Sequence, residues 1–170
     1  MAQLLTLITN LQDSPELPDV RLPSSYETRR TRVEDADELG RLYFEAYETG
    51  VACGFLREAI DEIRASFAGE YGELWPEASL VVEHDHVPVG AILTVRQGPW
   101  KRTPDCPFII DLFVDKSRRR RGLGRDLVHL CMATASESGE PAVALRVAGD
   151  NSTARALYRS LGFVEWHPQP

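Results

Sequence analysis

Cysteine is scarce and scattered in this chain. Only Cys53, Cys106 and Cys131 occur among 170 residues, with no C-x-x-C pair and no cluster of histidines at metal-ligand spacing. Neither a disulfide framework nor a metal site is therefore expected, and the thiols are expected to be reduced and mostly buried. Long apolar runs are lacking as well. The longest nearly uninterrupted one, Val87 to Val95, falls far short of the ~20 residues needed to cross a bilayer. The opening stretch, MAQLLTLITNLQ, has no basic n-region and no small-residue cleavage site, so no secretion signal is expected. The default expectation is a cytoplasmic protein with no membrane partner. Internal repeats, low-complexity tracts and an inter-domain linker are also missing.

What is present suits one packed globular domain. Apolar residues make up 43% and charged residues 26% of the chain, enough for a core and too ordered a mixture for a disordered or fibrous protein. The formal net charge of −7 averages two unlike regions. Glu34 to Asp85 holds fourteen acidic residues and three arginines, a net of −11, whereas Arg96 to Arg125 holds nine basic and three acidic residues, a net of +6. A nucleic-acid binder would show a basic surplus overall, so nucleic acid is not an expected partner. The polarity suggests a site between a polyanionic ligand and a cation. The acidic half also fits a solvated surface with no ligand at all.

Periodicity predicts an N-terminal arm over 1–27, able to add a strand through Leu4 to Ile8, and a single α/β domain over 28–170. Within it a first strand falls at Thr28 to Val33, and Asp35 with Glu38 forms an expected capping box. Two helical patterns follow, Ala36 to Tyr47 and Leu56 to Phe67. Ser79 to Glu83 and Val87 to Arg96 form an expected hairpin about a polar turn. Phe108 to Val114 is a strand, Gly122 to Glu137 a helix, Val143 to Val147 a strand, Ser152 to Ser160 a helix and Phe163 to Trp166 a last strand. The order β-α-α-β-β-β-α-β-α-β implies a sandwich of mixed strand direction.

Chemistry concentrates where the strand ending at Val114 passes through Arg118-Arg119-Arg120-Arg121-Gly122-Leu123-Gly124-Arg125 into a helix. A helix N-terminus exposes unpaired N–H groups and a partial positive charge. Glycines at 122 and 124 let the backbone approach a phosphate closely, and the arginines add forked donors. The P-loop pattern is absent, and the dinucleotide fingerprint fails because Leu127 stands where its third glycine belongs. A solvated basic helix start would account equally well for this loop alone.

A second segment, Asn151-Ser152-Thr153-Ala154-Arg155-Ala156-Leu157-Tyr158-Arg159-Ser160-Leu161-Gly162-Phe163, follows one βα unit later. Together with Arg119-x-x-Gly122-x-Gly124 it resembles the two signatures of the GNAT superfamily of N-acetyltransferases, in order and at the usual separation. The resemblance is strong over Phe108 to Phe163, extends over 34–96 and does not reach 1–27. It implies a mixed, mostly antiparallel sheet flanked by helices, and acetyl-CoA as co-substrate without a metal. It implies that Leu112, Phe113 and Val114 offer backbone groups to the pantetheine arm. It also implies that Arg119, Arg120, Arg121, Gly122, Leu123, Gly124 and Arg125 surround the pyrophosphate, that Asn151 touches the cofactor, and that Tyr158 lies near the thioester sulfur.

The implied reaction is transfer of an acetyl group to a primary amine of a cationic acceptor, by direct attack in a ternary complex. A non-catalytic acyl-CoA-binding sensor is the alternative. Tyr158 is the candidate acid, or else packs on the cofactor. The glutamate that some relatives carry five residues before the asparagine is Arg146 here, so that base is not transferable. Asp111 is the candidate base or cation anchor, or else a capping aspartate, with Glu83, Glu45 and Glu48 as weaker candidates. Tyr43, Phe44, Tyr47, Phe55 and Trp75 line a pocket or belong to the core. His84 and His86 fall at a hairpin tip and are expected to be structural. Many relatives add a further strand after the segment matching Trp166, so the sheet edge here is expected to be covered by the Leu4 to Ile8 segment or by a partner chain, for example in a homodimer.

Overall fold

A computed structural model describes residues 2–13, 16–47 and 53–170. Glu48, one of the weaker base candidates, lies outside them. The elements run β1 (Leu4–Asn10), β2 (Tyr26–Arg30), α1 (Ala36–Ala46), α2 (Leu56–Phe67), β3 (Leu80–His84), β4 (Val87–Val95), β5 (Phe108–Val114), α3 (Leu123–Glu137), β6 (Ala142–Ala148), α4 (Ser152–Ser160) and β7 (Val164–Glu165). The strands form one seven-stranded sheet in the order β2-β3-β4-β5-β6-β1-β7. Every pairing is antiparallel except that of β5 with β6. The fold is thus an α/β sheet of mixed direction with helices on both faces.

Local sequence explains most of the elements. The β3–β4 hairpin turns at Asp85 and His86, whose φ values of 51° and 65° are those of a two-residue turn with both central residues left-handed, matched to the twist of the strands. The expected capping box of α1 is not formed. Asp35 instead accepts from the Arg32 N–H at 2.7 Å and takes both terminal nitrogens of Arg29 at 2.8 and 2.9 Å. Arg29 also donates to Glu83 at 2.8 Å, so one guanidinium ties β2, β3 and the entrance to α1 together. Glu83 is thereby a structural residue and not a base.

The two sheet faces carry separate cores. On one, Ile92, Ile109, Leu127, Cys131, Leu145 and Phe163 pack with α3 and α4. On the other, Leu39, Ile63, Ala91, Leu93 and Phe113 pack with α1 and α2. A third cluster, including Phe108, Ala144 and Trp100, shares Leu74 and Ile110 with the second.

The strand at Leu4–Asn10 lies inside the sheet and not beside it. It pairs along its whole length with β6, from Leu4↔Ala148 to Asn10↔Ala142, while β7 pairs only with β1. The segment is short and its alternation is only partly apolar, which is why the sequence pattern marks it as an optional addition.

Candidate functional site

The site begins at a break in the sheet. β5 and β6 are paired only at Phe108↔Ala144 and Ile109↔Leu145, and beyond these residues the strands diverge. A register shift opposite Leu93 and Thr94 leaves Ile110 as an extra residue in β5, and such bulges bend a strand away from its neighbour. The Asp115 N–H donates to Val89 at 2.8 Å, so by the two-residue alternation of a ladder Phe113 also turns its backbone groups towards β4. Leu112 and Val114 then turn theirs into the cleft. The Tyr47 hydroxyl, donating to the Leu112 carbonyl at 3.3 Å, marks that direction. Phe113 thus turns its backbone groups towards β4 rather than into the cleft. Its buried ring packs edge-on against Tyr43 at 5.4 Å.

Below the cleft lies the start of α3. Gly122 sits at φ 78° as its N-cap and provides no side-chain cap, so the first-turn N–H groups are open to an anion. A Cβ on Gly122 would fall 2.6 Å from an Arg125 nitrogen, and one on Gly124 would point towards Val114 Cγ2 at 3.9 Å, between helix and strand. Leu123 is buried and anchors this turn in the core. Arg120, with φ 61°, bends the loop, and Arg120, Arg121 and Arg125 are exposed. The other two arginines serve the protein. Arg118 donates to the Tyr26 hydroxyl at 3.2 Å and meets His84 Nδ1 at 3.3 Å. Arg119 donates to the carbonyl of Ala46, the last residue of α1, where a cation complements the helix dipole. Asn151 is likewise engaged: it caps α4, its side-chain oxygen accepting from the Ala154 N–H at 3.1 Å.

Asp111 lies on the α1/α2 side, partly open to solvent. Burial, reinforced by Glu62 and only partly opposed by a hydrogen bond from Ser66, pushes its carboxyl up to about 7. Ser66 and Glu62 are one helical turn apart on α2, and Tyr71 hydrogen-bonds Glu62. The fully buried Ser66 interrupts the apolar stripe of Ala59 and Ile63. That interruption is the one sequence signal that could have revealed this cluster. Tyr47 is pushed up to about 12, by burial first and then by Asp111, with Arg119 pulling the other way. Tyr158 is buried, stacks edge-on against Phe163 at 5.7 Å, and is raised above an ordinary phenol by burial and by Tyr47. Asp111, Tyr47, the Leu112 carbonyl and Tyr158 therefore converge on the cleft.

Other candidates fall elsewhere. Trp75 is buried beneath Arg96, whose guanidinium lies 4.8 Å from its ring. Phe55 and Glu45 are exposed, and His84 packs on Tyr26 at 5.0 Å. Among the described residues no cluster of potential metal ligands occurs, and no helix is long and apolar enough to cross a membrane. A recess lined by Asp37, Arg41, Leu56, Ile60 and Arg64 opens on the solvent side of α1 and α2, where Arg64 pairs with Asp37 at 2.7 Å. It faces away from the cleft.

The chain is similar to known proteins over most of its length. The model of the acetyltransferase (GNAT) family matches residues 8–163. A mycothiol acetyltransferase of Rhodococcus erythropolis is 29% identical over 163 residues, covering 91% of this chain and 52% of that protein. Another, of Beutenbergia cavernae, is 38% identical over 96 residues, covering 55% of this chain and 31% of that protein. The chain thus spans about half or less of the curated relatives it matches. Among solved structures, a GCN5-related N-acetyltransferase from Sphaerobacter thermophilus superposes with a TM-score of 0.69 at 19% identity, over 96% of this chain and 48% of that one. The PaiA N-acetyltransferase of Thermoplasma acidophilum, in complex with coenzyme A, does so with a TM-score of 0.60 at 18% identity, over 81% and 88%.

Proposed function

Because the chain belongs to the GNAT acetyltransferase family, we propose that it transfers an acetyl group from acetyl-CoA to a primary amine. The observation that carries this reading is the β5/β6 cleft, with the Leu112 and Val114 backbone groups facing into it above the uncapped start of α3. The residues present fit the co-substrate: strand-edge donors and acceptors suit the amides of a pantetheine arm, and the helix start with Arg120, Arg121 and Arg125 suits a pyrophosphate. Acetyl-CoA, when bound, supplies an activated thioester.

The chain's own residues would then manage the protons. An alkylammonium resembling lysine, with a pKa near ~10, is only about one part in a thousand neutral at pH 7, so a proton acceptor is needed beside it. Asp111, near neutrality in its proton affinity, takes that role. As the amine nitrogen bonds to the acetyl carbon and the carbon–sulfur bond breaks, charge on the carbonyl oxygen is met by cleft-facing N–H groups of β5. Tyr158 donates a hydrogen bond to the departing sulfur. Its raised proton affinity makes it a stabiliser of the thiolate more than a full proton donor. The second N–H proton, lost from nitrogen as the amide forms, ends on the departing sulfur, so the net outcome is an acetylated amine, coenzyme A as its thiol and one proton released through Asp111. The carboxyl groups of Asp111 and Glu62 support a cationic acceptor, and the named relatives make a mycothiol-related compound one member of any acceptor panel.

The test is thiol release from acetyl-CoA across polyamines, aminoglycosides, amino acids and peptides. Release with at least one amine is expected. Failure of acetyl-CoA to raise the melting temperature, together with no thiol from any amine, would overturn the reading.

A further inference from the structure

The α1/α2 face of the sheet carries a second charged group beside the cleft. Along β6, Val143, Leu145 and Val147 pack with α3 and α4, while Ala142 and Ala144 belong to the cluster of Phe108 and Trp100 on the opposite face. Alternation therefore places Arg146 on the face that bears Asp111. Its guanidinium lies 4.6 Å from the centre of the Trp100 ring, and Trp100 meets Phe108 edge-on at 5.3 Å. Arg146 is half-buried, and among the described residues no carboxylate lies within 4 Å of it.

A guanidinium partly withdrawn from water without a counter-charge is costly. The Trp100 ring compensates through its π face, but the donors along the guanidinium edge are not answered by an aromatic ring. Arg146 follows the last β6 residue paired with β5, as Ile110 and Asp111 follow the last in β5, so Arg146 lies on the β6 lip of the cleft and Asp111 on the β5 lip. The two charges therefore flank the mouth of the cleft from opposite strands. Helix α1 packs over β4 and β5 with α2 against it, and the β6 side of this face meets the Trp100 loop.

We propose that Arg146 binds a carboxylate of the acceptor, which is therefore a zwitterionic amine of the amino-acid type, its nitrogen at Asp111 and its carboxylate on the guanidinium edge that Trp100 holds in place. This rests on the acetyl-transfer reading above. A fork of N–H donors pairs with both oxygens of a carboxylate, and a site built for such a pair rejects an analogue that leaves it unanswered.

The test compares thiol release from acetyl-CoA with a panel of amino acids and with the matching amino-acid amides. Expected is a preference of at least about tenfold in kcat/KM for the acids. Arg146→Gln should abolish that preference through KM for the acids, leaving the amide rates and KM for acetyl-CoA unchanged. Arg146→Lys, which keeps the charge and loses the fork, should retain part of it, which a merely structural arginine would not show. Amides used as well as acids, or both rates lowered alike by Arg146→Gln in a protein that still binds acetyl-CoA, would overturn the proposal. Release from amides alone, or from neither class while another amine of the wider panel releases thiol, overturns only this assignment, whereas no release from any amine and no stabilisation by acetyl-CoA removes the acetyl-transfer reading with it.

Discussion

Asp111 is the residue on which chemistry and stability pull in opposite directions. Its carboxyl is raised to about 7, first by burial and then by Glu62, so the folded protein holds a proton there that the unfolded chain has already released above about pH 4. This contribution to stability is complete at low pH and fades as pH rises towards 7 and beyond. Asp111→Asn should therefore raise the melting temperature at pH 8 and leave it nearly unchanged at pH 4, as followed by thermal unfolding at both. The same substitution should abolish thiol release. In the unmodified protein kcat/KM should climb with pH through about 7 as the base is freed. A second residue-scale expectation concerns Tyr47, whose hydroxyl occupies the Leu112 carbonyl that a pantetheine amide would need. Tyr47→Phe frees that acceptor, and one neutral hydrogen bond is worth about 1 kcal/mol. Acetyl-CoA should bind about threefold to tenfold more tightly by calorimetry. Weaker binding would assign Tyr47 to the cofactor site instead.

At the scale of elements, two junctions decide how the site is presented. The first is the turn into α3. Gly124→Glu places bulk and negative charge between the helix start and Val114, and should eliminate acetyl-CoA binding while the melting temperature falls only slightly. The second is the Arg29 junction. Burial alone would raise Asp35, yet the hydrogen bonds from Arg29 and Arg32 outweigh it and hold the carboxyl below its ordinary value. Arg29→Met leaves Asp35 and Glu83 without their shared cation, and loss of charge-assisted hydrogen bonds in such a part-buried group costs about 2 kcal/mol. Denaturant unfolding should register it. These elements differ in how far the sequence exposed them. The arginine–glycine loop and α4 follow rules of spacing, so their positions could be read directly. The capping role expected of Asp35 could not be corrected from the chain, because Arg29 and Glu83 meet it only after β2 and β3 have paired. Asn151 shows the same limit: its capping of α4 is a second role that the family motif does not announce.

The whole molecule is organised around strand β1. The sequence shows the hairpin, the mixed sheet and the βα order, since each depends on neighbours along the chain. It conceals that Leu4–Asn10 separates β6 from β7, because nothing local distinguishes an edge strand from an interior one. Removing residues 1–11 would strip β6 of its antiparallel partner and leave β7 with none. Leu7 and Leu11 would also leave the core. The truncated chain should lose its cooperative thermal transition, and its circular dichroism should show reduced strand content. Retention of a sharp transition would mean that β1 is dispensable.

That placement also bears on how the chain assembles during synthesis. Leu4–Asn10 leaves the ribosome long before Ala142–Ala148, yet each is the other's principal partner. An early strand with two unsatisfied edges must wait while nearly the whole domain is made, a contact of high sequence separation that slows folding and exposes an adhesive segment meanwhile. Refolding should accordingly end on the docking of this strand, and a bulky fusion close before Leu4 should lower soluble yield more than one placed after Pro170.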